Sequence, residues 1–160
     1  MSGSITLSLA GAESGSNDYA APQWAASLSE TLNLSGADLV FFDQRTVASA
    51  SSDTIDVVGS LSTALGTSFA AATFMGIAVI NKPKTGAANT TNLTIGNATN
   101  AFEGFLSSAG TIGPIPPGGM VLVAGSDLGT PSAGSTDEIK ITNSSGASAT
   151  YQIALFAASS

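Results

Sequence analysis

The sequence predicts an all-β protein: an antiparallel β-sandwich or jelly-roll-like barrel of about eight or nine short strands, with little helix. Three observations predict it. Short apolar runs recur along the 160 residues, several with period-two alternation. Turn signals rich in Gly, Pro and Asn separate them, as in sandwiches and barrels. Helical periodicity is weak throughout, and no internal repeat points to a propeller or solenoid.

Taken in order, Ile5, Leu7 and Leu9 alternate with Thr6 and Ser8, which puts the apolar side chains on one face of a strand. Gly11 to Asp18 reads as a turn-rich linker. Trp24, Leu28 and Leu32 are spaced as in a short helix, whereas Leu32 and Leu34 alternate as in a strand. The C-terminal end of this stretch reads as strand, and its middle stays open. The run Leu39 to Phe42 reads as a strand buried on both faces. Thr54 to Val58 is a strand closed by Gly59. Phe69 to Ile80 is the strongest central strand, with Ile77 and Val79 on one face and Ala78 and Ile80 on the other. Lys82-Pro83 ends it, because proline cannot donate to a ladder.

Leu93 and Ile95 alternate in a polar segment, and Phe102 to Leu106 follows. Pro116-Pro117-Gly118-Gly119 predicts a type II turn, with proline presetting φ at the second position and glycine accepting positive φ at the third. Met120 to Val123 is the next strand. Glu138 to Thr142 and Thr150 to Phe156 are expected to pair as a hairpin through Asn143 to Gly146, with Ile139 and Ile141 facing Tyr151, Ile153 or Leu155. A single domain is expected, with an N-terminal strand and arm over 1–36 and a β-sandwich body over 37–160. A chain of this length can bury about 70% of its unfolded surface, so it needs no covalent staples.

Composition narrows the chemistry. Cysteine and histidine are both absent. That excludes disulfides, thiolate and imidazole metal ligands, and Ser-His-Asp or Cys-His catalysis. Eleven carboxylates stand against Arg45, Lys82, Lys84 and Lys140, for a net charge of −7. Such a surface repels phosphate backbones and anionic lipid, so neither nucleic acid nor membrane is an expected partner. Hydrophobic residues make up 43% of the chain, and mean hydropathy is +0.32. With only 9% charged residues, part of the surface is expected to be buried against another protein. The start, MSGSITLSLAG, has no basic region and no continuous apolar core, so no secretion signal is expected. The uncharged stretch Val57 to Asn81 is too rich in Gly, Ser and Thr for a spanning helix.

A search for sites yields little chemistry. Asp53 and Asp56 flank Thr54-Ile55, and Asp137 adjoins Glu138. A glycosidase needs two acids opposed across a cleft. The expectation is instead that Asp53 caps a turn and Asp56 sits on a solvated strand face. Calcium favours oxygen donors such as Asp53, Asp56 and Asp127, but no loop has EF-hand spacing or an RTX repeat. No phosphate-cradling glycine motif is present. No enzyme activity, metal or cofactor is expected. Tyr19 and Trp24, flanking Pro22, read as anchors that tuck an N-terminal arm onto the body or a neighbour rather than as sugar-stacking platforms.

The stretch from Ala37 to Lys82 carries a resemblance. Asp43, Arg45, Thr46, Ala48 and Ser49 match one strand motif. Asp56, Val57, Gly59, Leu61, Leu65 and Gly66 match the segment after it, and Asn81 ends the following strand. Phe102 to Leu106, the Ile115 to Gly119 turn and the segment Thr136 to Asn143 keep the same layout. Over residues 37–156 the chain resembles virion proteins of tailed bacteriophages. It departs from them at Ala64, where aspartate is commoner, and in the sparsely charged SFAAATFMG stretch. The resemblance implies a non-enzymatic, β-rich capsid decoration (cement) protein on the capsid exterior. Such proteins typically sit as homotrimers over junctions of the major capsid protein. Ile5, Leu7 and Leu9 are then expected to pair with a neighbour as an added edge strand, with Tyr19 and Trp24 as further anchors. The alternative is a tail, fibre or baseplate β-sandwich that binds a receptor or carbohydrate.

Overall fold

The computed structural model describes residues 3–14, 23–107, 109–144 and 146–160. These residues form ten strands and no helix. They are β1 (Gly3–Ser14), β2 (Gln23–Leu34), β3 (Leu39–Val47), β4 (Ser51–Asp56), β5 (Thr73–Ile80), β6 (Leu93–Gly96), β7 (Thr111–Ile115), β8 (Met120–Ala124), β9 (Glu138–Asn143) and β10 (Ala149–Ala158). β1 and β2 form a separate two-stranded hairpin. The other strands make two four-stranded antiparallel sheets, in the orders β3-β10-β5-β8 and β4-β9-β6-β7. The protein is an all-β antiparallel sandwich.

The sandwich follows from alternation. β10 buries Ala149, Tyr151, Ile153, Leu155 and Ala157, and β9 buries Ile139, Ile141 and Asn143. Each strand therefore turns one largely apolar face inward, with Asn143 at the end of β9 as the polar exception. These two consecutive strands do not pair as a hairpin. β9 pairs with β4 and β6, while β10 pairs with β3 and β5. The link between them crosses from one sheet to the other. The Asn143 side-chain amide donates to the carbonyls of Val47 and Ala147, which fastens that crossing. Two largely apolar faces bury more area when placed in opposing sheets than when laid edge to edge in one sheet.

Several local expectations need correction. Gly11 to Ser14 continue β1 rather than opening a linker. The stretch around Trp24 to Leu32 is strand throughout, because residues four apart share a face of a strand as well as a helix. Leu39 to Phe42 is not buried on both faces: Leu39 is buried, whereas Phe42 is exposed. β3 is an edge strand, and Phe42 stands on the outer face of its sheet. β5 begins at Thr73; before it, Ala71 has φ of +60° and Phe69 plugs the core from a turn. β7 contains Gly113 and Pro114, a pair that argues against a strand, and it survives as a sheet edge where a missing donor is tolerated. The Pro116 turn is as predicted: Gly118 has φ of +77° and the Gly119 N–H donates to the Pro116 carbonyl.

Polar contacts key the sheets together. Asn81, fully buried at the end of β5, donates to the carbonyls of Thr91 and Ile115 and accepts from Asn89. Asn89 in turn bonds both the carbonyl and the N–H of Thr150. Replacing Ile141, fully buried at the centre of its sheet, with alanine is expected to cost about 3 kcal/mol. Leu65→Ala, at a turn position that is 90% exposed, should change stability by under about 0.5 kcal/mol. Urea unfolding of both variants measures the contrast.

Candidate interaction surface

Four of the eight exposed large hydrophobic side chains among the described residues lie on the N-terminal hairpin. Its register pairs Ile5 with Leu32, Leu7 with Glu30 and Leu9 with Leu28. Directly opposed residues share a face, so these six line one side of the ribbon. The other side is small and hydroxylic: Thr6 opposes Thr31, with their hydroxyls 3.2 Å apart, and Ser8 opposes Ser29. At the root, Ile5 packs with Leu34, Ala37, Met75 and Phe156. Beyond the root, no other described residue buries the ribbon's leucines: Leu7 is 45% exposed, Leu9 53%, Leu28 50% and Leu32 37%.

The outer face of the β3-β10-β5-β8 sheet continues this surface. Register places Val40, Phe156, Gly76 and Ala124 in one row across it. The next row is Phe42, Ala154, Ala78 and Leu122, and the third is Gln44, Gln152, Ile80 and Met120. The arm's root covers the first row, where a side chain on Gly76 would press on Ile5. The second row stays open, with Phe42 69% exposed. The loop after β5 closes the far end. Gln44 Oε1 accepts the Lys84 N–H at 2.6 Å, and the Gln152 amide donates to the Lys82 carbonyl at 2.9 Å. Lys84 is thereby held beside a depression floored by Ala78, Ile80 and Ala154.

The residues singled out from sequence fall as follows. Ile5, Leu7 and Leu9 share the arm's apolar face, with Ile5 half-buried and the two leucines exposed. β2 occupies one edge of β1 along its whole length, so strand addition on that side is closed. Trp24 pairs through its backbone with Glu13, and its side chain lies outside the described residues. Tyr19 also lies outside them. Leu28 and Leu32 belong with the set, a grouping hidden because their spacing fits two periodicities. Phe42, Leu122 and Met120 were legible as strand residues, but only the uncovered outer sheet makes them surface.

Asp53, Asp56 and Asp127 each bond other parts of the fold. Asp53, on β4, receives both the Nε and Nη2 of Arg45 on β3, at 2.6 and 2.9 Å, and the Tyr151 hydroxyl at 2.8 Å. This clasp ties one sheet to the other. Arg45 holds the Asp53 carboxyl below its ordinary range, with Tyr151 adding to the effect. Burial, and then the bond to Asp53, push the Tyr151 phenol well above its ordinary value. Both shifts favour the charged carboxylate and the neutral phenol, the two forms that the clasp uses. Asp53 thus does not cap a turn. Asp56 does, accepting the N–H groups of Val58 and Gly59 at 2.9 and 2.6 Å. Asp127 accepts the Gly129 N–H. Among the described residues, no cluster of three or more acidic side chains is arranged to hold a metal ion.

A scan against protein-family models, a search of curated proteins and a search of solved structures each return no match.

The depressed Asp53 pKa sets a sign. Its stabilisation is complete above the ordinary value of 3.8 and is lost as pH falls through the lower folded-state value. Asp53→Asn should therefore cost about 1–2 kcal/mol at neutral pH. The gap to the parent protein should close in strong acid. Urea titrations at both pH values read the difference.

Proposed function

We propose that this protein is a tailed-bacteriophage capsid decoration protein that sits on the outside of the head, at junctions of the major capsid protein. The observation that carries the reading is the arm: a long ribbon with one exposed leucine face, continuous with an apolar outer sheet on a sparsely charged body. A surface of that kind functions by being covered. Each copy would bury apolar area across a capsomer junction at about 25 cal/mol per Å2, and many copies would add their contributions around the shell.

Two further observations support it. The strand orders β3-β10-β5-β8 and β4-β9-β6-β7, with six of the seven body connections crossing between sheets, fit a jelly roll, a fold used by viral capsid domains. The residues that carry the phage resemblance also hold the scaffold. Arg45 clasps the sheets, Asp56 caps the turn after β4, and Asn81 bridges β5 to β7. The resemblance therefore concerns a shared framework. In this reading the protein is non-catalytic and acts as a homotrimer.

Purified protein should co-sediment with capsid shells that lack it, saturate at a fixed number of copies per capsomer, and raise the temperature at which the shells rupture. Because the contact is apolar, binding should persist at about 0.5 M salt, where exposed charge pairs are screened. Shells that bind nothing at saturating protein would overturn the assignment.

A further inference from the structure

We infer that the arm's free face is covered by a second copy of this chain: one copy's hairpin lies in the trough on the neighbour's outer β3-β10-β5-β8 sheet, and each copy both gives and receives an arm. The inference rests on the homo-oligomer of that reading and assigns the arm's face to the contact between copies, so the assembled oligomer rather than the single arm would meet the shell.

Continuity is the first argument. The arm already uses this chemistry within its own chain, where Ile5 packs over Gly76 and against Phe156 in the first row of the same sheet. The second row offers the same kind of surface, and no described residue lies over it as Ile5 lies over the first.

Shape is the second. Ala154 and Ala78 floor the trough, and Phe42 and Leu122 stand at its sides. Those two positions are three strand spacings apart, about 14 Å. A two-stranded ribbon, about 10 Å wide, fits between them.

Charge is the third. Glu30 sits within the arm's apolar face, opposite Leu7. If two arms packed face to face, they would bring two such carboxylates into one dry contact, which is costly. The trough instead ends at Lys84. Among the described residues the ion pairs are those of Arg45, so Lys84 is available to meet Glu30.

Area sets the strength. The open floor spans three strand spacings and two rows, about 14 Å by 14 Å, or about 200 Å2. Counting both surfaces, one seated arm buries about 400 Å2 and two exchanged arms about 800 Å2, the size of a weak, reversible contact.

The test is the mass of the full-length protein by native mass spectrometry and sedimentation equilibrium. The parent protein should run at two or three times 15.7 kDa. Leu9→Glu with Leu28→Glu on the arm, and separately Phe42→Glu with Leu122→Glu on the sheet, should each weaken association at least about 100-fold with circular dichroism unchanged. Mixing the two variants should restore a complex, because one retains an intact arm and the other an intact sheet. Glu30→Lys and Lys84→Glu should each weaken association about threefold, and the double variant should recover it. The charge pair also keeps the test decisive if the leucine variant fails to fold. A monomeric parent protein overturns the inference. So does loss of association in only one of the two double-glutamate variants, or failure of the charge exchange to restore it. Dependence on the arm alone would mean that arms pair with each other or await a different protein.

Discussion

The packing of β9 against β10 across the sandwich is the contact on which the rest of the body depends. Ile139 and Ile141 point inward from one sheet, and Tyr151, Ile153 and Leu155 point inward from the other. β10 is central in its sheet and β9 is central in its own, so each organises its neighbours. The chain between them cannot be a simple hairpin turn. It must cross the edge of the sandwich, and Asn143 supplies the polar fastening that makes the crossing specific. Apolar burial provides the driving force, and the hydrogen bonds choose the register.

The same division of labour recurs at the other joints. Asn81 and Asn89 satisfy backbone groups where strands leave the sheets, which would otherwise be left buried and unpaired. The Arg45–Asp53 pair with Tyr151 ties β3, β4 and β10. The role of these polar residues is architectural: each closes a joint between strands that are distant in the chain.

The arm follows a different rule. A two-stranded ribbon alone in water is marginal, because one apolar face has nothing to rest on. Here the root is anchored by Leu34, Ala37 and Met75, while the outer leucines stay exposed. The outer face of the adjoining sheet has the same character. Both surfaces are costly for an isolated molecule and useful for one that assembles, so the arm and that sheet are read as one contact surface.

The sequence by itself determined the class of fold. Period-two runs such as Ile5-Leu7-Leu9 and Tyr151-Ile153-Leu155, with turns such as Pro116 to Gly119, permit little besides short antiparallel strands, because alternation is a local property. The absence of histidine and cysteine likewise bounded the chemistry. Only the tertiary structure decided which strands share a sheet, since the inward faces of β9 and β10 read identically whether the strands are paired or opposed. It also decided that Asp53, rather than Asp56, meets Arg45, and that Phe42 points into solvent. These outcomes depend on partners distant in the chain and on which sheet face is left uncovered, and neither is encoded in any local spacing.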